Sequence, residues 1–150
     1  MAKLANSIQI ENRKARFDFQ FIDTFTAGMV LKGTEIKSIR LGKAGLSDSY
    51  CMFIHNELYV RNMHVAEYDN ASFYSHEPLR ERKLLLQNQE LKKLSKSVKD
   101  QGLTIVPVKL YISESGYAKL VIALARGKKA FDKREDIKKR DTERELGRKL

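Results

Sequence analysis

A mainly β domain, its strands closed into a small antiparallel barrel, is expected from three features of these 150 residues. Aromatic and β-branched residues alternate with polar ones at period 2, as in Phe17-Asp18-Phe19-Gln20-Phe21. The strand-like runs are separated by short turn signals, His55-Asn56-Glu57 and Glu114-Ser115-Gly116. Only two stretches before residue 127 carry a helical pattern.

In chain order, Phe17–Phe21 reads as a first strand and Phe25–Leu31 as a second, with a bulge or close backbone approach at Ala27-Gly28. Gly33 ends that strand, Thr34 is the expected N-cap of a short helix over Glu35–Leu41, and Gly42 stops it. Ser49–Ile54 and Leu58–Asn62 form a hairpin, followed by an irregular connection over 66–82. The longer helix covers Gln87–Lys99, with Leu91, Leu94 and Val98 on one face, and Gly102 closes it. Thr104–Ile112 and Tyr117–Ala125 make a closing hairpin, with Pro107 marking an edge or a bulge. About six strands joined by short loops imply antiparallel pairing, and a barrel removes the sheet edges. An OB-like barrel is the familiar example, and its face often binds nucleic acid.

The charge has a direction. Twenty-nine Lys and Arg against nineteen Asp and Glu give a net charge of +10, which on one small domain points to a polyanion. Residues 127–150 hold ten Lys/Arg and six Asp/Glu, with Phe131, Ile137, Leu146 and Leu150 as their only sizeable apolar side chains. Such a segment cannot bury enough surface to offset its ordering entropy. The chain therefore divides into a folded body, 1–126, and a basic C-terminal tail, 127–150, disordered when free. On a helical wheel Lys133, Ile137, Arg140, Arg144 and Arg148 fall in one stripe. That stripe suits either a solvated, fraying helix or a helix that forms against a phosphate-lined wall.

Several classes drop out. One cysteine, Cys51, permits neither a disulfide framework nor a thiolate metal cage. No apolar run approaches the ~20 residues of a bilayer span, and residues 1–12 lack the apolar core of a signal peptide, so a cytoplasmic location is expected. His55, His64 and His76 lack metal-ligand spacing. There is no GxSxG elbow, no P-loop and no GxGxxG, so no catalytic residue, metal or cofactor is expected. Glu35 and Asp48 read as either a carboxylate pair or, more simply, capping and loop residues.

Three basic clusters remain: Asn12-Arg13-Lys14-Ala15-Arg16; the Glu35–Lys43 turn, with Lys37 and Arg40 on one side; and Arg80, Arg82 and Lys83 ahead of Leu84-Leu85-Leu86. Lys and Arg neutralise phosphates, and Asn12, Asn62 and His64 offer hydrogen bonds to base edges or 2′-hydroxyls.

These segments occur in a recognisable order: Asn12-Arg13-Lys14-Ala15, Ala27-Gly28, Gly33-Thr34-Glu35-Ile36-Lys37-Ser38, Gly42-Lys43-Ala44, Leu46-Ser47-Asp48-Ser49-Tyr50, Asn62-Met63-His64, Arg80 through Leu86, Ala125 through Lys129 and Asp132-Lys133-Arg134. From about Asn12 to Arg144 the chain resembles the SmpB family, the SsrA-binding proteins of bacteria. The resemblance implies an OB-fold barrel with added helices. It would bind the tRNA-like domain of transfer-messenger RNA as a monomer, without cofactor or membrane, and enter the A site of a stalled ribosome. There the RNA supplies alanine and a reading frame that tags the incomplete peptide for degradation, while the tail lies in the vacant mRNA channel of the small subunit. It further implies an RNA-binding set of Asn12, Arg13, Lys14, Glu35, Lys37, Arg40, Lys43, Asn62, His64, Arg80, Arg82, Lys83 and Leu85. The implied ribosome-binding set is Gly127, Lys128, Lys129, Phe131, Asp132, Lys133, Arg134, Ile137, Lys138, Lys139 and Arg140.

This chain departs from the family pattern at Thr26, often Glu, at Gln87, often Asn, and at Phe131, often His or another ring. Phe131 either stacks on a base or packs on the barrel as a last core residue. Two rivals stand beside this reading: a general ribosomal or single-strand RNA binder, and a metal-dependent nuclease.

Overall fold

The computed structural model describes residues 8–68 and 75–128. The elements are β1 (Gln9–Glu11), α1 (Arg13–Asp18), β2 (Phe19–Met29), α2 (Gly33–Arg40), β3 (Ala44–Gly45), β4 (Tyr50–Ile54), β5 (Glu57–Arg61), β6 (His64–Val65), β7 (Arg82–Leu85), α3 (Asn88–Gln101), β8 (Thr104–Ile112) and β9 (Ala118–Gly127). Strands pair in the order β8-β4-β5-β7-β2-β9, and β9 returns to β8. The result is a closed six-stranded ring, antiparallel at every pairing, with β1 added against β8. The small β-barrel with a short and a longer helix is the expected architecture.

The β4–β5 hairpin turns on His55 and Asn56, both with positive φ (50° and 65°), and Ile54 faces Glu57. Two left-handed residues match the strand twist, and Asn tolerates that conformation well. Gly102 ends α3 in the left-handed region (φ 64°), as expected of a C-terminal glycine.

Several expectations on the N-terminal side are corrected. Phe17 belongs to the helix α1, and the two strands expected over 17–31 are one, β2. Its bulge falls at Ile22: Phe21 faces Ala125 and Asp23 already faces Leu124. Ala27-Gly28 stays in register, but Gly28 does mark a close approach, since a Cβ there would lie 3.4 Å from the Leu85 Cβ. The Pro107 bulge lies one residue on, at Val108, because Pro107 faces Ile122 and Lys109 faces Val121. The N-cap of α2 is Lys32, whose N–H donates to the Glu35 carboxylate at 2.8 Å. Thr34 is engaged elsewhere, with His76.

The barrel interior is filled by Leu58, Val60, Leu84, Leu110, Leu120 and Ile122, with Leu94 of α3 fully buried over one end. A smaller cluster, Ala15, Val106, Val108, Ala123 and Ala125, lies with Phe19 and Phe21 around α1. No helix among the described residues is long and apolar enough to cross a membrane.

Candidate nucleic-acid interface

The three clusters contain two kinds of residue. Some hold the surface in place and others form it. Asn12 is the first kind. On one side of β8, β4 reaches only Ile105 and β1 covers Lys109–Tyr111. Asn12 closes the gap between them. Its N–H donates to Val108 O at 2.9 Å, and its Nδ2 donates to Pro107 O at 2.8 Å and Leu46 O at 3.2 Å. Its Oδ1 accepts the Ala15 N–H at 3.1 Å and so caps α1. Buried and fully engaged, its amide is not presented at the surface.

Glu35 and Arg82 are also internal; both side chains are 0% exposed. The Glu35 carboxylate accepts from Arg82 Nε, Arg80 Nη2 and the Lys32 N–H. Arg82 also donates to Met63 O at 2.7 Å and Pro78 O at 3.2 Å. Burial pushes the Glu35 carboxyl up, but the hydrogen bonds from Arg80, Lys32 and Arg82 outweigh it and hold it below the ordinary carboxylate range. Burial likewise pulls the Arg82 guanidinium down, opposed by Glu35. Next to this network, His76 Nε2 donates to Val65 O at 2.9 Å, and its Nδ1 is hydrogen-bonded to the Thr34 hydroxyl at 2.9 Å. Together these contacts fasten α2 to β7 and to the segment 75–82.

The exposed side chains sit on this frame. Lys37 and Arg40 project from α2, with Lys37 Nζ 5.3 Å from the Tyr68 ring centroid and Arg40 Nη2 donating to Gly116 O at 3.2 Å. Lys43 follows α2, and its carbonyl accepts the Ala66 N–H at 2.9 Å. The β3–β6 ladder (Gly45 facing His64) sets exposed His64 beside that turn, with Asn62 in the left-handed conformation just before it (φ 59°). Arg80, partly exposed, reaches Val30 O at 3.3 Å. Arg13 and Lys14 are exposed at the start of α1, and Lys14 pairs with Asp48, which raises the lysine's affinity for its proton. On the outside of β7, Lys83 pairs with Glu57 at 2.9 Å and Leu85 is 51% exposed.

Thus Glu35, Arg80 and Arg82 meet directly, and Lys37, Arg40, Lys43, Asn62 and His64 gather about α2 and β6. Arg13 and Lys14 sit at the Asp48 turn, and Lys83 and Leu85 on the outer wall. Gly127 is the last residue of β9, facing Phe19, and the Lys128 N–H donates to Asp18 O at 2.9 Å. The remaining tail residues, Lys129 and Phe131 through Arg140, lie outside the described residues.

The arrangement offers phosphate-neutralising cations around ring and amide groups. Among the described residues no three His, Cys, Asp or Glu side chains gather to hold a metal. The Cys51 thiol is buried, which pushes its pKa up and keeps it protonated. The sequence missed Tyr117, the most exposed large apolar side chain in the described structure. Its position after the Glu114-Ser115-Gly116 turn was the available signal.

A family model described as SmpB protein matches residues 9–150. The chain is 60% identical to the SsrA-binding protein of Phocaeicola vulgatus over 94% of each sequence. It is 56% identical to that of Bacteroides thetaiotaomicron over 95% of each. It is 47% identical to that of Gloeobacter violaceus, over 95% of this chain and 93% of the relative. The solved structure described as "tmRNA-SmpB: a journey to the center of the bacterial ribosome" matches with a TM-score of 0.69 at 47% identity, covering 83% of this chain and 87% of that one.

Proposed function

This chain belongs to the SmpB family, and from that premise we propose that it binds the tRNA-like domain of transfer-messenger RNA and delivers it to the A site of stalled ribosomes for trans-translation. The observation that carries the reading is the near-full-length identity to SsrA-binding proteins, 60% over 94% of both chains. The geometry supports it, because exposed cations surround a rigid, buried Glu35–Arg82 pair rather than a reactive centre.

In this reading Lys37, Arg40, Lys43 and Arg80 neutralise RNA phosphates, with Arg13 and Lys14 extending the surface. Asn62 and His64 supply hydrogen bonds, and Leu85 offers an apolar contact on β7. Asn12, Glu35 and Arg82 act from inside, by fixing the elements that carry the others. The protein works as a monomer in the cytoplasm, where ribosomes are, and catalyses nothing itself. The tail from Lys129 onward engages the small-subunit decoding region and the mRNA channel.

The test is binding of the full chain to the isolated tRNA-like domain and to an ordinary elongator tRNA at several salt concentrations. Affinity for the first is expected to be the greater at every salt and to fall steeply as salt rises. Equal affinity for the two RNAs reduces the protein to a general RNA binder and refutes the proposal.

A further inference from the structure

The tip of the β8–β9 hairpin has a feature that the barrel does not need. Tyr117 is 68% exposed, more than any other large apolar side chain among the described residues. The loop beneath it is tightly held. The Ser113 N–H donates to Tyr117 O at 2.8 Å, the Tyr117 N–H to Ser113 Oγ at 3.2 Å, and the Gly116 N–H to Ser113 O at 2.9 Å. Gly116 takes a positive φ of 91°, which a side chain rarely tolerates, and a Cβ there would lie 3.4 Å from Arg40 Nη2. Arg40 reaches across from α2 to donate to Gly116 O at 3.2 Å.

A large ring turned to solvent on a mobile loop has little meaning. A ring carried by a loop whose backbone is fixed by four hydrogen bonds, one of them from a guanidinium, is presented from a firm base. Its phenol has no hydrogen-bond partner among the described residues. Arg40 shares its helix with Lys37 and precedes exposed Leu41 and Lys43, so cations and an apolar edge adjoin the tip. An aromatic face beside phosphate-neutralising cations is the arrangement on which unpaired bases stack. Glu114 is the only acid on the tip, within a chain of net charge +10, so an acidic phosphodiester suits the surface better than a basic partner.

We propose that Tyr117 is a stacking platform for one unpaired base of the bound RNA. Arg40 locks the tip to α2 and keeps its outward N–H groups for the adjoining phosphate. The inference rests on the RNA-binding reading above and adds to it a residue in the β8–β9 turn, Tyr117, that lies outside all three basic clusters.

The chain contains no tryptophan, so Tyr117→Trp places a single reporter at the site. On titration with the tRNA-like domain, its fluorescence is expected to be quenched in step with binding measured by filter retention. Tyr117→Ala should lower affinity about tenfold, within the range for loss of one stacked base, without changing the salt slope, because no phosphate contact is lost. Tyr117→Phe should bind as the native chain does. Unquenched indole fluorescence from the Tyr117→Trp variant at native affinity, or native affinity in the alanine variant, overturns the proposal. So does an alanine variant that binds RNA normally but fails in ribosome-dependent tagging, since the ring then meets a component of the ribosome rather than the bound RNA. If the native chain itself does not bind the tRNA-like domain, the functional reading fails instead.

Discussion

Replacing Glu35 by glutamine removes a charge where no water can stand in for it. The native carboxylate takes three donors, from Lys32, Arg80 and Arg82, and Arg82 is itself fully buried. Glutamine offers one carbonyl oxygen and turns an NH2 toward a guanidinium. Removing one partner of a buried ion pair costs about 3–5 kcal/mol. The low end applies here, about 3 kcal/mol, because Arg82 keeps the Met63 and Pro78 carbonyls. For a body of this size that lowers the melting midpoint by roughly 10 °C. The assay is thermal unfolding followed by circular dichroism at pH 7 without RNA. Glu35→Met combined with Arg82→Met should recover part of the loss, since an apolar pair replaces a buried ionic one at little cost. The pH dependence has a definite sign. The folded carboxyl is held below its unfolded pKa, so its stabilisation is present above the unfolded value and is lost as pH falls through the folded one. The native chain should therefore lose stability below about pH 4 more steeply than Glu35→Gln. The variant should also bind the RNA more weakly despite its extra positive charge, because Arg80 loses its orienting partner. A melting midpoint within about 2 °C of native, or tighter RNA binding, refutes the reasoning.

Three further outcomes are expected. Asn12→Ala should destabilise the free protein by about 2 kcal/mol, from the lost cap of α1 and the Pro107 carbonyl left without its donor, while Leu46 O keeps the Ser49 N–H and hydroxyl; the readout is a lower melting midpoint in the absence of RNA. Lys37→Ala with Arg40→Ala should lower the slope of log affinity against log salt by between about 1.4 and 1.8, and an unchanged slope removes α2 from the interface. A chain ending at Lys128 should melt as the full chain does and keep most of its RNA affinity but fail to support peptide tagging on stalled ribosomes. Tagging at the full rate by that chain makes the tail dispensable.

The hairpins and α3 were legible because their signals are local: two residues suited to positive φ between Ile54 and Glu57, a glycine after α3, and apolar residues on one helical face. The errors came where long-range contacts override local pattern. Phe17, Phe19 and Phe21 alternate as a strand would, but Asn12 caps a helix through Phe17 because the gap in β8 needs its amide. The sites followed the same rule. That Arg82 and Glu35 lie close was hinted by neither their spacing nor their charge, since 47 residues separate them. An arginine in an apolar run reads from sequence as a surface cation. Only the closed barrel turns Arg82 inward while Lys83 and Leu85 on the same strand face out. Lys37 and Arg40 were placed correctly on the surface because α2 is amphipathic. Tyr117 was passed over because one ring after a turn carries no pattern.

The central claim is that this surface selects one RNA, not RNA in general. The most direct measurement is sequencing of the RNA crosslinked to the full chain in bacterial cells and purified under denaturing conditions. The account predicts transfer-messenger RNA as the dominant species, with crosslinks in its tRNA-like domain. A profile that follows the abundance of cellular RNAs contradicts it.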